Sequence, residues 1–321
     1  MFTRLRDVII ICAFVSQTLL PSNAFTSPAN PIWMERRSAG MSEAGAEETE
    51  GESPVIECGW ELRSLAGSYT YVSEGEDSLC TLYLLAPIDH VIQLEFPFFN
   101  VACAEDSAVD ILDGWKLDGQ VFPSSDDHPQ PMSYRELRFC GEGARPGPVT
   151  SKQNIVQIFF KVPVRGQGFM VKVAFKVNKK PCSMMLWRDN YERVTLDNFG
   201  LRSNCTVMSL YPQRVQFLYV NVGEQEKDIW YSNSPLGKKR GLRTTCESEM
   251  GEDSVKVYQG HGVGPSWRRM VLGFCGVRTH KVPKPVPLRC HSSAVTLKSS
   301  GQFYNKLIFS FLPDQDGVIL C

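Results

Sequence analysis

Eleven cysteines punctuate this chain of 321 residues, and ten of them lie beyond an apolar N-terminal segment. In order they fall as neighbours: Cys58 and Cys80, Cys103 and Cys140, Cys182 and Cys205, Cys246 and Cys275, Cys290 and Cys321. Each such pair could close a short loop. An even count behind a leader reads as a disulfide framework, because thiols stay oxidised on the secretory route. Zinc binding would call for cysteines a few residues apart, and even the closest two, Cys275 and Cys290, do not meet that pattern. Spacing alone leaves the connectivity open. Loops of this length each contribute about 3–4 kcal/mol by restricting the unfolded chain, which suits a shell-like fold without a large core.

The start of the chain predicts the same compartment. Arg4 and Arg6 precede an apolar core from Val8 to Leu20, which breaks at Pro21 and leads to Ser22-Asn23-Ala24, a small-x-small cleavage pattern. That core is too short to span a bilayer, and no later apolar run is long enough, so a secreted protein with no membrane span is expected. The whole chain carries a net charge of −1, which gives no electrostatic case for nucleic acid. Residues 25–57 read as a disordered acidic arm. Glu43, Glu47, Glu48, Glu50 and Glu52 stand there among small residues that bury too little surface to offset ordering entropy.

From Cys58 onward the pattern is that of strands. Phe169 to Val177 alternates Phe and Val on one face with Lys172 and Lys176 on the other, as a half-buried antiparallel strand does. Asn154 to Val162 is apolar at nearly every position, as a central strand would be. Arg214 to Val222, with Val215, Phe217, Tyr219 and Asn221 on one face, and Leu307 to Leu312 repeat the theme. No long segment has a helical period. The length from Cys58 exceeds one ordinary sandwich, so the expectation is all-β with two tandem antiparallel β-sandwiches, over 58–178 and 179–321. Internal similarity points the same way. Asp106-Ser107-Ala108-Val109 through Gly114, then Phe139-Cys140-Gly141, is echoed by Asp253-Ser254-Val255 through Gly260, then Phe274-Cys275-Gly276.

These strand–Gly turns and the cysteine frame resemble CUB-type modules. Asp113-Gly114-Trp115-Lys116-Leu117-Asp118-Gly119-Gln120-Val121-Phe122-Pro123-Ser124-Ser125, then Asp127-His128-Pro129, resembles the corticotropin-releasing factor-binding protein family more specifically. The resemblance spans Cys58 to Cys321 and is strongest before residue 180. It implies that the ten cysteines pair in sequence order. It also implies a secreted protein that binds a corticotropin-releasing-factor-like or related diuretic peptide hormone and limits its receptor signalling. In the vertebrate family, charged residues flanking the first cysteine have been tied to ligand binding. Here Pro54 and Trp60 stand near Cys58, so those charges do not carry over, and Glu57, Glu61 and Arg63 are the nearby candidates to replace them.

The ligand-binding expectation therefore covers Glu57, Trp60, Glu61, Arg63 and Trp115, although an aromatic beside a tight turn, as Trp115 is, reads by default as a core plug and only the resemblance tilts it toward the ligand. No catalytic residue is expected. His128 between Asp127 and Pro129 fits a structural turn, and neither H-E-x-x-H nor G-x-S-x-G occurs. No metal or other cofactor is expected either. A CUB-type calcium site wants several convergent acids, and Asp106 is joined only by Asn100-Val101-Ala102 and Lys161-Val162 where the others would stand. Asn204-Cys205-Thr206 is the only N-x-S/T sequon, so glycosylation is expected at Asn204. Lys238-Lys239-Arg240 is a candidate processing site, cut after Arg240. The alternative function is an extracellular CUB-type adhesion or matrix-assembly protein.

Overall fold

The structure is a computed structural model and describes residues 54–103, 107–187, 191–211, 213–224, 241–246, 253–282 and 284–313. The expected leader, the arm up to residue 53, Asp106, the Lys238–Arg240 loop and Cys321 lie outside the described residues. Twelve strands form the first half: β1 (Trp60–Arg63), β2 (Gly67–Val72), β3 (Cys80–Leu85), β4 (His90–Val101), β5 (Ala108–Leu112), β6 (Trp115–Leu117), β7 (Gln120–Phe122), β8 (Glu136–Phe139), β9 (Gly141–Glu142), β10 (Val149–Thr150), β11 (Ile155–Lys161) and β12 (Gly168–Val177). Ten form the second: β13 (Met184–Leu186), β14 (Tyr191–Asp197), β15 (Arg202–Ser209), β16 (Gln213–Val222), β17 (Ser254–Gly260), β18 (Arg268–Phe274), β19 (Gly276–Arg278), β20 (Val286–Leu288), β21 (Ser292–Ser300) and β22 (Lys306–Pro313).

The two halves share the topology of both sheets, and among the described residues only the β6–β7 hairpin of the first lacks a counterpart. The order β1-β3-β11-β5-β8 in the first is matched by β13-β15-β21-β17-β18 in the second. Facing these are β10-β4-β12-β2 and β14-β22-β16, with β9 on β4 and β19 and β20 on β16. Even the exceptions repeat: β1 on β3 and β13 on β15 are parallel pairs in otherwise antiparallel sheets. Disulfides Cys58–Cys80 and Cys182–Cys205 sit at equivalent places, as do Cys103–Cys140 and Cys246–Cys275. Cys290 is disulfide-bonded as well. The described residues form a pair of β-sandwiches stapled by disulfides.

Each sandwich has its own core. Leu82, Leu84, Ile92, Leu94, Phe160 and Phe169 fill the first, and Val207, Val215, Phe217, Val257, Val295 and Phe309 fill the second. Since successive side chains on a strand alternate in face, Tyr83 and Leu85 must point out of the first core. They are nevertheless buried, in a third cluster that joins Trp115, Phe122 and Ile155 to Met185, Met208, Leu210, Val263 and Ala294 of the second half. The outer face of the β1-β3-β11-β5-β8 sheet is thus covered by the equivalent face of its duplicate. This is why β3 and β11 are apolar on both faces, as the sequence shows for Asn154 to Val162.

Two expectations shift. Val55 and Ile56, assigned to the acidic arm, belong to the first sandwich: Val55 bridges Thr70 and Ile56 joins the core. Along β16 the strict alternation fails after Phe217, because the register slips between Phe217 and Tyr219. Val215 and Phe217 face the core, then Val220 and Val222 do, while Tyr219 is only half-buried. A bulge adds one residue and swaps the faces beyond it. The equivalent strand β4 also meets a register shift, opposite Met170 and Lys172 of β12.

Candidate functional site

The segment after Cys58 is held at the margin of the molecule. The Cys58–Cys80 bond ties the start of β1 to the start of β3, and β1 then runs parallel along β3 as the last strand of its sheet. Trp60 is 57% exposed, with its ring 6.0 Å from that of Tyr83. Glu61 and Arg63 form an ion pair on the same strand. The Arg63 guanidinium also donates to the Val55 carbonyl at 3.4 Å and lies 5.5 Å over the Tyr69 ring. The Tyr69 hydroxyl donates to Leu65 O at 2.7 Å; burial pushes its pKa up, with Arg63 opposing. Val55, Leu65 and Leu79, next in chain or contact to these residues, expose large apolar surface, and Glu57 is exposed. An exposed indole on a disulfide-anchored edge strand is suited to the apolar face of a polypeptide, while Glu61 and Arg63, alternating with it along β1, belong to the other face of the strand.

The motif from Asp113 to Pro129 serves a different purpose. Asp118 and Gly119, both at positive φ, turn β6 into β7 as a two-residue Asp-Gly hairpin. Gly114 (φ +139°) passes so close to its surroundings that a Cβ there would meet Phe122 O at 2.6 Å and the Arg135 guanidinium at 2.7 Å. Trp115 is 0% exposed, and its indole N–H reaches the carbonyls of Leu84 and Val156, both at 3.2 Å. Trp115 therefore cannot meet a ligand at the surface. It is the core plug of the junction, and its assignment to the ligand surface is corrected on that ground.

Asp113, His128 and Arg135 brace the hairpin from behind. The Asp113 carboxylate accepts from Lys152 N at 3.1 Å and from Gln153 Nε2 at 2.6 Å. The Gln130 N–H donates to His128 Nδ1 at 3.0 Å, which leaves Nε2 to donate to Asp113 at 3.1 Å. Both ring nitrogens are thus engaged, and the ring is buried, as a structural turn requires. Arg135 Nε donates to Asp113 O at 3.0 Å, and burial lowers the Arg135 pKa.

Other residues of the same motif cross to the second sandwich. Gln120 Oε1 accepts from Gly264 N. The Asp127 carbonyl accepts from Ser183 Oγ at 3.2 Å, and its carboxylate accepts from Thr206 Oγ1 at 3.0 Å. Burial raises the Asp127 pKa against the hydrogen bond from Thr206 and the nearby Arg268, whose own pKa burial lowers. Asn154, immediately before β11, donates to Ala86 O and Met185 O and accepts from Met185 N, so one amide bonds to both halves. Nothing in the sequence marked Asn154 or Gln120 as joining the two halves, since their partners lie far along the chain.

The remaining expectations divide. Asp253 is buried, and its carboxylate is taken up by Ser300 N, Ser300 Oγ and Asn305 Nδ2, so it is turned away from any cation. Asp110 is paired with Arg138 at 3.8 Å. Among the described residues no group of three or more His, Cys, Asp or Glu could hold a metal ion. Asn204 is half-buried on β15, while Thr206 of its sequon is 0% exposed. Among the described residues no helix is long and apolar enough to cross a membrane.

Residues 56–178 match the family described as the corticotropin-releasing factor binding protein N-terminal domain. The chain is 27% identical over 255 residues to the corticotropin-releasing factor-binding protein of Ovis aries, covering 78% of this chain and 73% of the relative. It is 26% identical over 270 residues to that of Homo sapiens, covering 82% and 78%. A solved structure of the CUB1-EGF-CUB2 domain of human MASP-1/3 aligns at 15% identity over 77% of this chain and 98% of that one. Its TM-score is 0.25, too low to bear on arrangement or partners. The relatives matched in sequence bear the name of binding proteins, and the chain is similar to the corticotropin-releasing factor-binding proteins over most of its length, with the match to their N-terminal domain at residues 56–178.

Proposed function

We propose that the protein is secreted and captures a corticotropin-releasing-factor-like peptide hormone, or a related diuretic peptide, stoichiometrically and without catalysis. The observation that carries this reading is the exposed Trp60 on a strand fixed by Cys58–Cys80, in a chain whose relatives bear the name of that binding activity. Peptides of this class form amphipathic helices, and such helices bind by laying their apolar face on an apolar surface. Trp60 would be the anchor, with Glu57, Glu61 and Arg63 of the same stretch of chain selecting the polar edge. A disulfide-held strand loses little entropy on binding, which favours capture.

Capture would lower the free peptide concentration and so limit receptor activation. A receptor-activation assay tests it. Added protein should shift the peptide dose–response to higher concentration, and a matching excess of peptide should restore the full response. A depressed maximum that excess peptide cannot restore would contradict sequestration.

A further inference from the structure

We propose that His261 and His291 form a two-imidazole site for a divalent transition metal of the zinc–copper class. Strands β17 and β21 pair antiparallel, and the register brings Gly260 opposite Ser292 at one end of the ladder. One residue further out, His261 and His291 face each other across that pair. Their ring centroids are 5.1 Å apart and their planes 50° from parallel. Metal–imidazole bonds of about 2.0–2.1 Å in tetrahedral geometry place two ligating nitrogens roughly 3.3 Å apart, which calls for two neighbouring rings such as these.

The chemistry of the surroundings suits the role. His128 spends both nitrogens on Asp113 and Gln130, and His90 is paired with Asp89, whereas neither His261 nor His291 bonds to another described residue. An imidazole ligates through a nitrogen lone pair, and the facing pair offers two such rings to one ion. Two imidazoles leave the other coordination positions to water, so the site is open, and imidazole ligation favours copper and zinc over magnesium or calcium. Its place in the fold gives it a consequence. His261 opens the loop to Trp267, in which Ser292 Oγ donates to Gly262 O at 2.9 Å and Gly264 N donates to Gln120 of the other sandwich. A metal at the pair would pin the base of a loop that holds the two sandwiches together.

Full-length, untagged protein titrated with ZnCl2 by calorimetry should take up one ion per chain. With CuSO4, Trp267, which is 58% exposed and on the same loop, should report binding by quenching. H261N and H291N should each weaken uptake at least tenfold and leave the metal-free melting temperature unchanged, while H280N should bind like the parent. Zinc should also protect His261 and His291, but not His280, from diethylpyrocarbonate in the unaltered protein. Uptake of equal affinity in H261N and H291N, no uptake by the parent, or modification undiminished by zinc would each overturn the site.

Discussion

Trp115 shows how one residue can be read two ways until its surroundings are known. An indole beside a tight turn is a plausible hormone anchor, yet its N–H is bonded to two backbone carbonyls of the first sandwich and its ring is enclosed by both halves. Trp60 is the reverse, since its chain neighbourhood of alternating charges said little about exposure. Only the order of its sheet puts it at the margin. Tyr83, 6.0 Å from Trp60 and 5.3 Å from Trp115, lies between the two indoles, so the exposed site and the junction are mechanically adjacent. Replacing Trp115 by Ala should destabilise the protein by about 3–5 kcal/mol, through lost burial and the cavity left behind. Urea unfolding measures this. A loss under about 1 kcal/mol would mean that the ring is not enclosed as described.

At the scale of elements, strands β11, β12 and β22 were legible because each has an unbroken period or an unbroken apolar run. Strand β16 was legible as a strand but not in its facing, because a bulge is set by pairing and not by the strand's own residues. The duplication could be glimpsed at two places in the sequence, while the structure extends it to the strand order of both sheets and to two pairs of disulfides. Strand β15 gives a test in which two variants with one chemical effect part in stability. N204Q and T206A should both abolish any N-linked glycan, seen as loss of the mass shift on glycosidase treatment. Only T206A removes the hydroxyl that bonds Asp127 and lies 2.8 Å from Thr296, so it alone should cost about 1–3 kcal/mol. Equal stability of the two would contradict the buried role of Thr206.

Over the whole molecule, the two duplicated sandwiches stack through equivalent sheets, giving four layers with the β6–β7 hairpin between the inner two. Two sandwiches were legible from length and cysteine spacing, but their packing was not. The residues that join them, Asn154 with Met185, Gln120 with Gly264 and Asp127 with Thr206, are each too distant in sequence for any local pattern to link them. The candidate site was legible in part: the Cys58 flank followed from the resemblance, whereas the exposure of Trp60 and the burial of Trp115 needed the fold. The motif that most resembles the family is therefore a joint, and the proposed hormone surface lies beside it on β1. Calorimetric titration of the intact protein and of W60A with a corticotropin-releasing-factor-like peptide, with and without a calcium chelator, tests this most directly. The account predicts saturable one-to-one binding indifferent to the chelator and weakened in W60A by about 2 kcal/mol, roughly thirtyfold. Absence of heat with every such peptide would contradict it and move the function to the adhesion reading, and undiminished binding by W60A would move the hormone off the Cys58 flank.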